Sequence, residues 1–195
     1  MPFEVEIKVR LHESIDEMKA KLTVVGAKWE VKLEHVDDYY LMPEGFRNFA
    51  ETDEALRIRA VKQEGEDEKA DITYKGKKLR GDTKTREEII VKLSSAEKMG
   101  GIFEHLGFTN AYTIHKWREI FSHEYNGETI EITVDQIEHL PDPYMELELY
   151  AATEEEINAK QGLLFEFLKE LGYRRKDSER LSYLELVMMQ LGVKI

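Results

Sequence analysis

The sequence predicts an α+β fold: a closed eight-stranded antiparallel β-barrel, a tunnel with a charged lumen, carrying its helices on the outside. Three observations lead there. Eight segments show strand periodicity, at 3–11, 28–41, 55–62, 70–76, 86–93, 111–122, 128–135 and 145–151. Most carry charged doublets at i, i+2, which put ionised side chains on one face of the strand. Helix signals fall between the strands, so the helices segregate outside a sheet that can close.

The first strand sets the problem. Glu4, Glu6, Lys8 and Arg10 alternate with Phe3, Val5, Ile7 and Val9, and an ordinary half-buried sheet would turn those charges to water. Repetition argues for the opposite polarity. Arg57 and Arg59 straddle Ile58, Thr73 and Lys75 straddle Tyr74, and Arg86 and Glu88 precede Ile89-Ile90-Val91. Lys116 and Arg118 flank Trp117, Glu131 and Asp135 flank Ile132 and Val134, and Glu146 and Glu148 flank Leu147. In a barrel the charged face lines the lumen and the other face packs against covering helices. The expected core is therefore outward: Val5, Ile7, Leu56, Ile58, Tyr74, Ile89, Val91, Leu147 and Leu149.

Three helices are announced by a Ser or Thr with Glu three residues on, as in a capping box: Ser14 with Glu17, Ser94 with Glu97, and Thr153 with Glu156. They run through Met18 and Leu22, Ile102 and Leu106, and Leu164, Phe167, Leu168 and Leu171, and stop at Gly26, Gly107 and Gly172. The first two are each followed by a strand-like stretch, which suggests a duplicated strand-helix-strand unit. Hairpin signals lie at Glu64-Gly65-Glu66-Asp67 and Tyr125-Asn126-Gly127. Residues 76–85 form a polar loop, either a closing flap or a solvated connector. A short helix is expected within 177–191, starting near Ser178 or Ser182, and its Met188-Met189 end is apolar enough to cover the chain's own body or a second copy in a homodimer.

Composition narrows the functions. A chain of 195 residues with 42% hydrophobic and 35% charged side chains suits one soluble domain over 1–195. No apolar run nears the roughly 20 residues that span a bilayer, and the chain opens directly on strand pattern, so no membrane contact and a cytoplasmic home are expected. Zero cysteines exclude disulfides and thiolate metal sites. The net charge of −12 argues against a nucleic-acid surface, which needs an exposed basic stripe.

A lumen filled with Glu4, Glu6, Glu88, Glu131, Asp135, Glu146 and Glu148 alongside Lys8, Arg57, Arg59, Lys75, Arg86, Lys116 and Arg118 is too expensive to be a stability device. The basic set suits a polyphosphate, since Arg offers a planar fork and Lys a compact charge. The carboxylates would repel that anion unless Mg²⁺ or Mn²⁺ bridges the two, with Glu4, Glu6, Glu146, Glu148 and Asp135 as the expected ligands.

These residues resemble the CYTH, or triphosphate tunnel metalloenzyme, family, which includes class IV adenylyl cyclases and thiamine triphosphatases. Glu4-Val5-Glu6-Ile7-Lys8 is similar to its ExExK signature, Asp37-Asp38-Tyr39-Tyr40 to its D-x-Y-[FY] segment, and Glu54 through Arg59 to its ALRIR strand. Thr73-Tyr74-Lys75-Gly76, Arg86-Glu87-Glu88, Lys116-Trp117-Arg118, Asp135 through Glu138 and Glu146-Leu147-Glu148 follow in the family's order over nearly the whole chain. Leu41, where Asp is common, and Pro141-Asp142-Pro143-Tyr144 before the last motif depart from the pattern.

The resemblance implies a Mg²⁺- or Mn²⁺-dependent enzyme acting on a small-molecule triphosphate. Lys8, Arg57, Arg59, Lys75, Arg86, Lys116 and Arg118 would grip phosphate, Glu4, Glu6, Asp135, Glu146 and Glu148 would hold metal, and Lys8, Lys75 and Glu88 would stand at the chemical step. The nearest branch is the cyclase-like one, converting ATP to cyclic AMP and pyrophosphate. Hydrolysis of tripolyphosphate, thiamine triphosphate or a nucleoside triphosphate is the alternative, and a non-catalytic polyphosphate-binding module is a third.

Competing sites are weak. The six His residues show no HxxxH spacing for zinc, though His35 and His115 fall beside lumen positions. Ser122, Ser178 and Ser182 lack His-Asp partners at recognisable spacing. Trp29 is a candidate to stack on a base, whereas Trp117 alternates onto the apolar face and is expected in the core.

Overall fold

The computed structural model describes residues 3–78 and 85–193. Residues 79–84, most of the polar loop expected at 76–85, lie outside the described residues. The strands are β1 (Phe3–Arg10), β2 (Lys28–Leu41), β3 (Ala55–Lys62), β4 (Lys69–Lys75), β5 (Arg86–Leu93), β6 (Thr109–Tyr125), β7 (Glu128–Ile137) and β8 (Tyr144–Ala151). The helices are α1 (Ile15–Val24), α2 (Phe49–Thr52), α3 (Ala96–His105), α4 (Glu154–Glu170) and α5 (Tyr183–Leu191).

The strands close into an antiparallel barrel in the order β1-β5-β4-β3-β2-β6-β7-β8. Closure depends on a short seam, Phe3 opposite Glu87 and Glu4 opposite Arg86, while β2 and β6 pair along most of their length. Asn126 and Gly127 both take positive φ, 50° and 84°, which is the turn whose twist matches the β6–β7 hairpin.

The main hydrophobic core lies outside the barrel wall. Val5, Ile7 and Val9 of β1, Ile130, Ile132 and Val134 of β7, and Leu147 and Leu149 of β8 pack against Met18 and Leu22 of α1 and Leu164, Phe167 and Leu168 of α4. Each such aliphatic burial contributes about 1.5–3 kcal/mol. On the opposite wall α3 seats Phe103 against Tyr40 and Ile58, and a Cβ on its Gly100 would fall 2.9 Å from the Tyr40 hydroxyl. The α3 helix approaches that closely because Gly100 has no side chain. A third cluster, Ile114, Ile137, Leu140, Tyr144, Tyr183 and Val187, seats α5 on the barrel.

Several expectations need correction. The outward residues of β5 are not core: Ile89 is 38% and Val91 54% exposed, because α3 packs chiefly on β3 and β4 and reaches β5 only at its end, Leu93. Trp117 is 41% exposed, since its register sets it between polar Glu34 and Gln136. The capping box at Ser14 and Glu17 forms, but α3 is capped by Ser95, one residue later than expected. At α4, Thr153 makes no side-chain cap, and Glu156 instead accepts from the Ala152 N–H at 2.8 Å. The α5 capping box is Ser182 with Glu185, and the short α2 helix went unforeseen between β2 and β3.

Candidate active site

Alternation along the strands brings the charged residues to one cavity of about 490 Å³. Its wall includes Arg57, Arg59, Lys75, Arg86, Lys116 and Arg118, six of the seven cations expected to grip phosphate, and Glu4, Glu6, Glu146 and Glu148 of the expected metal set. Glu88 and Glu131 line it as well. Lys8 and Asp135 are not on the lining.

Lys8 is fully buried. Its Nζ donates to the Leu181 carbonyl at 2.8 Å, lies 3.7 Å from Glu146 and sits over the Tyr183 ring. Asp135 is buried behind Arg118, accepting from Nε at 2.7 Å and Nη2 at 2.5 Å, and it takes a third bond from the Tyr183 hydroxyl at 2.7 Å. Arg118 also contacts Glu146. A parallel arrangement holds Arg59, whose Nε and Nη2 donate to Asp37 at 2.6 and 2.7 Å. A guanidinium has five N–H donors, so each Arg uses one edge on its carboxylate and keeps others for the cavity. Asp37, given in the sequence only as the start of the Asp37-Asp38-Tyr39-Tyr40 segment and assigned no role, lies opposite Arg59; its alternation with Tyr39 was a usable signal.

The electrostatics follow. Burial alone would raise the Asp37 carboxyl, but Arg59 and Arg57 hold it well below the usual range. Lys75 lies 2.7 Å from Glu88 and 3.2 Å from Glu4; those carboxylates override burial and keep its pKa high, and Lys75 in turn keeps Glu88 low despite burial. Among the described residues Lys116 has no hydrogen-bond or ion-pair partner, and it stands 5.3 Å over the Tyr183 ring. Burial and then Arg118 push its pKa down to about 7.

On the acidic wall, Glu6 and Glu131 both lie directly opposite Glu148 in neighbouring strands, a like-charge arrangement that destabilises a sheet. Burial, Glu4 and Glu131 push Glu148 well above the ordinary carboxylate range, and Glu131 is raised mainly by burial. Such a set of oxygen donors fits a hard divalent cation. Among the described residues no three His, Asp or Glu side chains converge on a common point.

His35, opposite Lys116 in β6, is 4% exposed, and among the described residues both its ring nitrogens, Arg57 Nε and Thr133 Oγ1 have no hydrogen-bond partner. Burial, with Arg59 and Lys116 nearby, keeps His35 neutral by driving its pKa far down. Lys78, which also lines the cavity, was missed because it follows the last residue of β4. Neither Trp29 nor Trp117 reaches the lining, and no described helix is long and apolar enough to cross a membrane.

The CYTH domain family matches residues 2–183. The chain is 41% identical over 187 residues to a Methanocaldococcus jannaschii protein named "Putative adenylate cyclase MJ0240", covering 94% of this chain and 97% of that one. Among solved structures, the PH1819 protein of Pyrococcus horikoshii OT3 is 34% identical with a TM-score of 0.83, covering 96% of this chain and 99% of its own. The Hippeastrum protein HpAC1, for which a dominant triphosphatase activity is described, shares the fold at 17% identity and a TM-score of 0.62, over 100% of this chain and 98% of its own. A barrel of ordered motifs converging on one charged cavity, matched over nearly its full length, belongs to the CYTH family.

Proposed function

We propose that the tunnel binds a triphosphate together with Mg²⁺ or Mn²⁺ and catalyses transfer at phosphorus, with cyclisation of ATP as its reaction. The observation that carries this reading is the division of one cavity between seven basic residues, Lys78 among them, and an opposing carboxylate wall. Arg57, Arg59, Lys75, Arg86, Lys116 and Arg118 bind phosphate oxygens, and Asp37 and Asp135 fix the orientation of two of the guanidiniums before substrate arrives. Glu4, Glu6, Glu131 and Glu148 are the groups we assign to the cation, which when bound offsets carboxylate and phosphate charge together. Glu146 and Asp135, both engaged with Arg118, support that wall. Lys75 and Glu88 stand at the chemical step, whereas Lys8 acts by holding Tyr183.

In cyclisation the ribose 3′-oxygen forms a bond to the α-phosphorus, the bond from that phosphorus to the bridging oxygen breaks, and pyrophosphate leaves with the electron pair. The hydroxyl proton is released to solvent. The name of the Methanocaldococcus jannaschii relative supports this reaction. Hydrolysis of the same triphosphate is the second reading, since the clamp serves attack by water equally well.

The test is product identification after incubation with ATP, thiamine triphosphate or tripolyphosphate and either metal. Cyclic AMP with pyrophosphate supports cyclisation and orthophosphate supports hydrolysis. Binding without products makes the protein a sensor, and no binding removes the reading altogether.

A further inference from the structure

One apolar run of the barrel is left uncovered. Ile89, Ile90 and Val91 of β5 are all exposed, Ile90 and Val91 at 54%, and the strand that carries them is paired on one side. There β4 runs beside it from Glu88 to Leu93. On the other side β1 meets only Arg86 and Glu87 and then continues along β8, so among the described residues no strand lies against that side of residues 88–93. The Gly76 N–H donates to the Glu87 carbonyl at 3.0 Å. That parity turns the backbone groups of Glu87, Ile89 and Val91 to β4, and those of Glu88, Ile90 and Lys92 to the open edge. A hydrophobic edge of this kind is a template for another strand.

The segment is its own complement. Antiparallel pairing of two such edges must match edge-directed residues with each other, and a two-fold axis through Ile90 does so while setting Glu88 of each copy against Lys92 of the other and Ile89 against Val91. Opposite charges and facing β-branched side chains both favour that register, whereas a slip to the next permitted one puts Glu88 or Lys92 against Ile90. A second copy carries this charge order by construction. We infer that the chain forms a two-fold dimer by β5–β5 pairing centred on Ile90. The Met188-Met189 end is not the contact, since both residues line the chain's own cavity. Glu88 also lines that cavity and binds Lys75, so Lys92 of the second copy comes beside the tunnel wall, with Asp71 as its neighbour in its own chain. The inference does not depend on which reaction the tunnel performs.

Sedimentation velocity on the full chain from about 1 to 100 μM reads the association. The mass should move from monomer to dimer across that range. Ile89→Glu with Val91→Glu, which sets carboxylates against one another, should raise the dimer Kd about tenfold or more while the far-UV circular dichroism stays unchanged. Cross-linking reads the register, because the chain has no cysteine. Ile90 meets its own copy across the axis at a Cα separation of about 5.5 Å, within disulfide reach. Ile90→Cys should therefore give a covalent dimer when diamide oxidises the two thiols, and Ile102→Cys, on α3 and 53% exposed in the wild type, should not. A monomer at every concentration would overturn the inference and leave the edge to an extended peptide of another protein. A dimer indifferent to the Ile89 and Val91 changes, or one that cross-links through Ile102→Cys and not through Ile90→Cys, would overturn it as well.

Discussion

The Lys8 ammonium lies 3.8 Å from the centre of the Tyr183 ring, which sets the lysine of the ExExK motif beneath the C-terminal helix and off the cavity lining. From there a chain of contacts runs to the clamp: Tyr183 donates to Asp135, and Asp135 grips Arg118. Tyr183→Phe keeps the ring over Lys8 and deletes only the hydroxyl. It should cost about 1–3 kcal/mol in urea unfolding and weaken triphosphate binding several-fold. Unchanged affinity would show that Arg118 needs no such support.

Glu148→Gln should abolish turnover and leave the fold intact. It should also stabilise the metal-free protein. The Glu148 carboxyl is raised well above its reference value of 4.5, so its ionisation opposes folding: this group's contribution to stability is fully present below that value and is lost as pH rises through the folded-state pKa. In chelator, the urea midpoint of the wild type should decline over that range more steeply than that of the variant. Added Mg²⁺ should recover about 2.7 kcal/mol at a hundredfold excess over its Kd in the wild type, and much less in the variant. Equal pH profiles with full activity would remove Glu148 from the cation site.

Arg59→Ala should weaken triphosphate binding more than tenfold and destabilise the fold, because it removes both hydrogen bonds of the buried Asp37 carboxylate and leaves it only Arg57 at 3.8 Å, a loss of about 3 kcal/mol. Adding Asp37→Asn should restore much of the stability and none of the affinity. Calorimetry and urea unfolding on both variants read the two effects separately.

Lys116, with its pKa lowered to about 7, is charged below that pH and neutral above it. Triphosphate affinity should therefore fall as pH rises through about 7 and beyond, the bound anion itself moving the midpoint upward. Lys116→Arg should flatten the profile, since guanidinium stays charged. A wild-type profile already flat from mildly acidic to alkaline pH would mean that Lys116 does not meet the phosphates.

Much of the fold was legible because period-two alternation is a local property: all eight strands lie where strand periodicity predicts them, seven of them marked by charged doublets, with ends shifted by three residues at most. The exposed β5 face was not legible, because whether a helix covers Val91 is decided by α3 packing elsewhere. Lumen membership could be read from parity for Arg57, Arg59, Lys116 and Arg118. Depth could not: Lys8 and Asp135 have lumen parity yet are sealed off by Tyr183, a residue remote in sequence that only tertiary packing brings there. Lys78 and the α5 wall escaped for the same reason, since a strand pattern does not say what covers the end of a barrel.

The most direct test is a crystal structure with Mg²⁺ and α,β-methylene ATP. The account predicts the phosphates among Arg57, Arg59, Lys75, Arg86, Lys116 and Arg118, with the ion on Glu4, Glu6, Glu131 and Glu148. Phosphates seated outside the barrel, with the lumen charges paired only to one another, would contradict it.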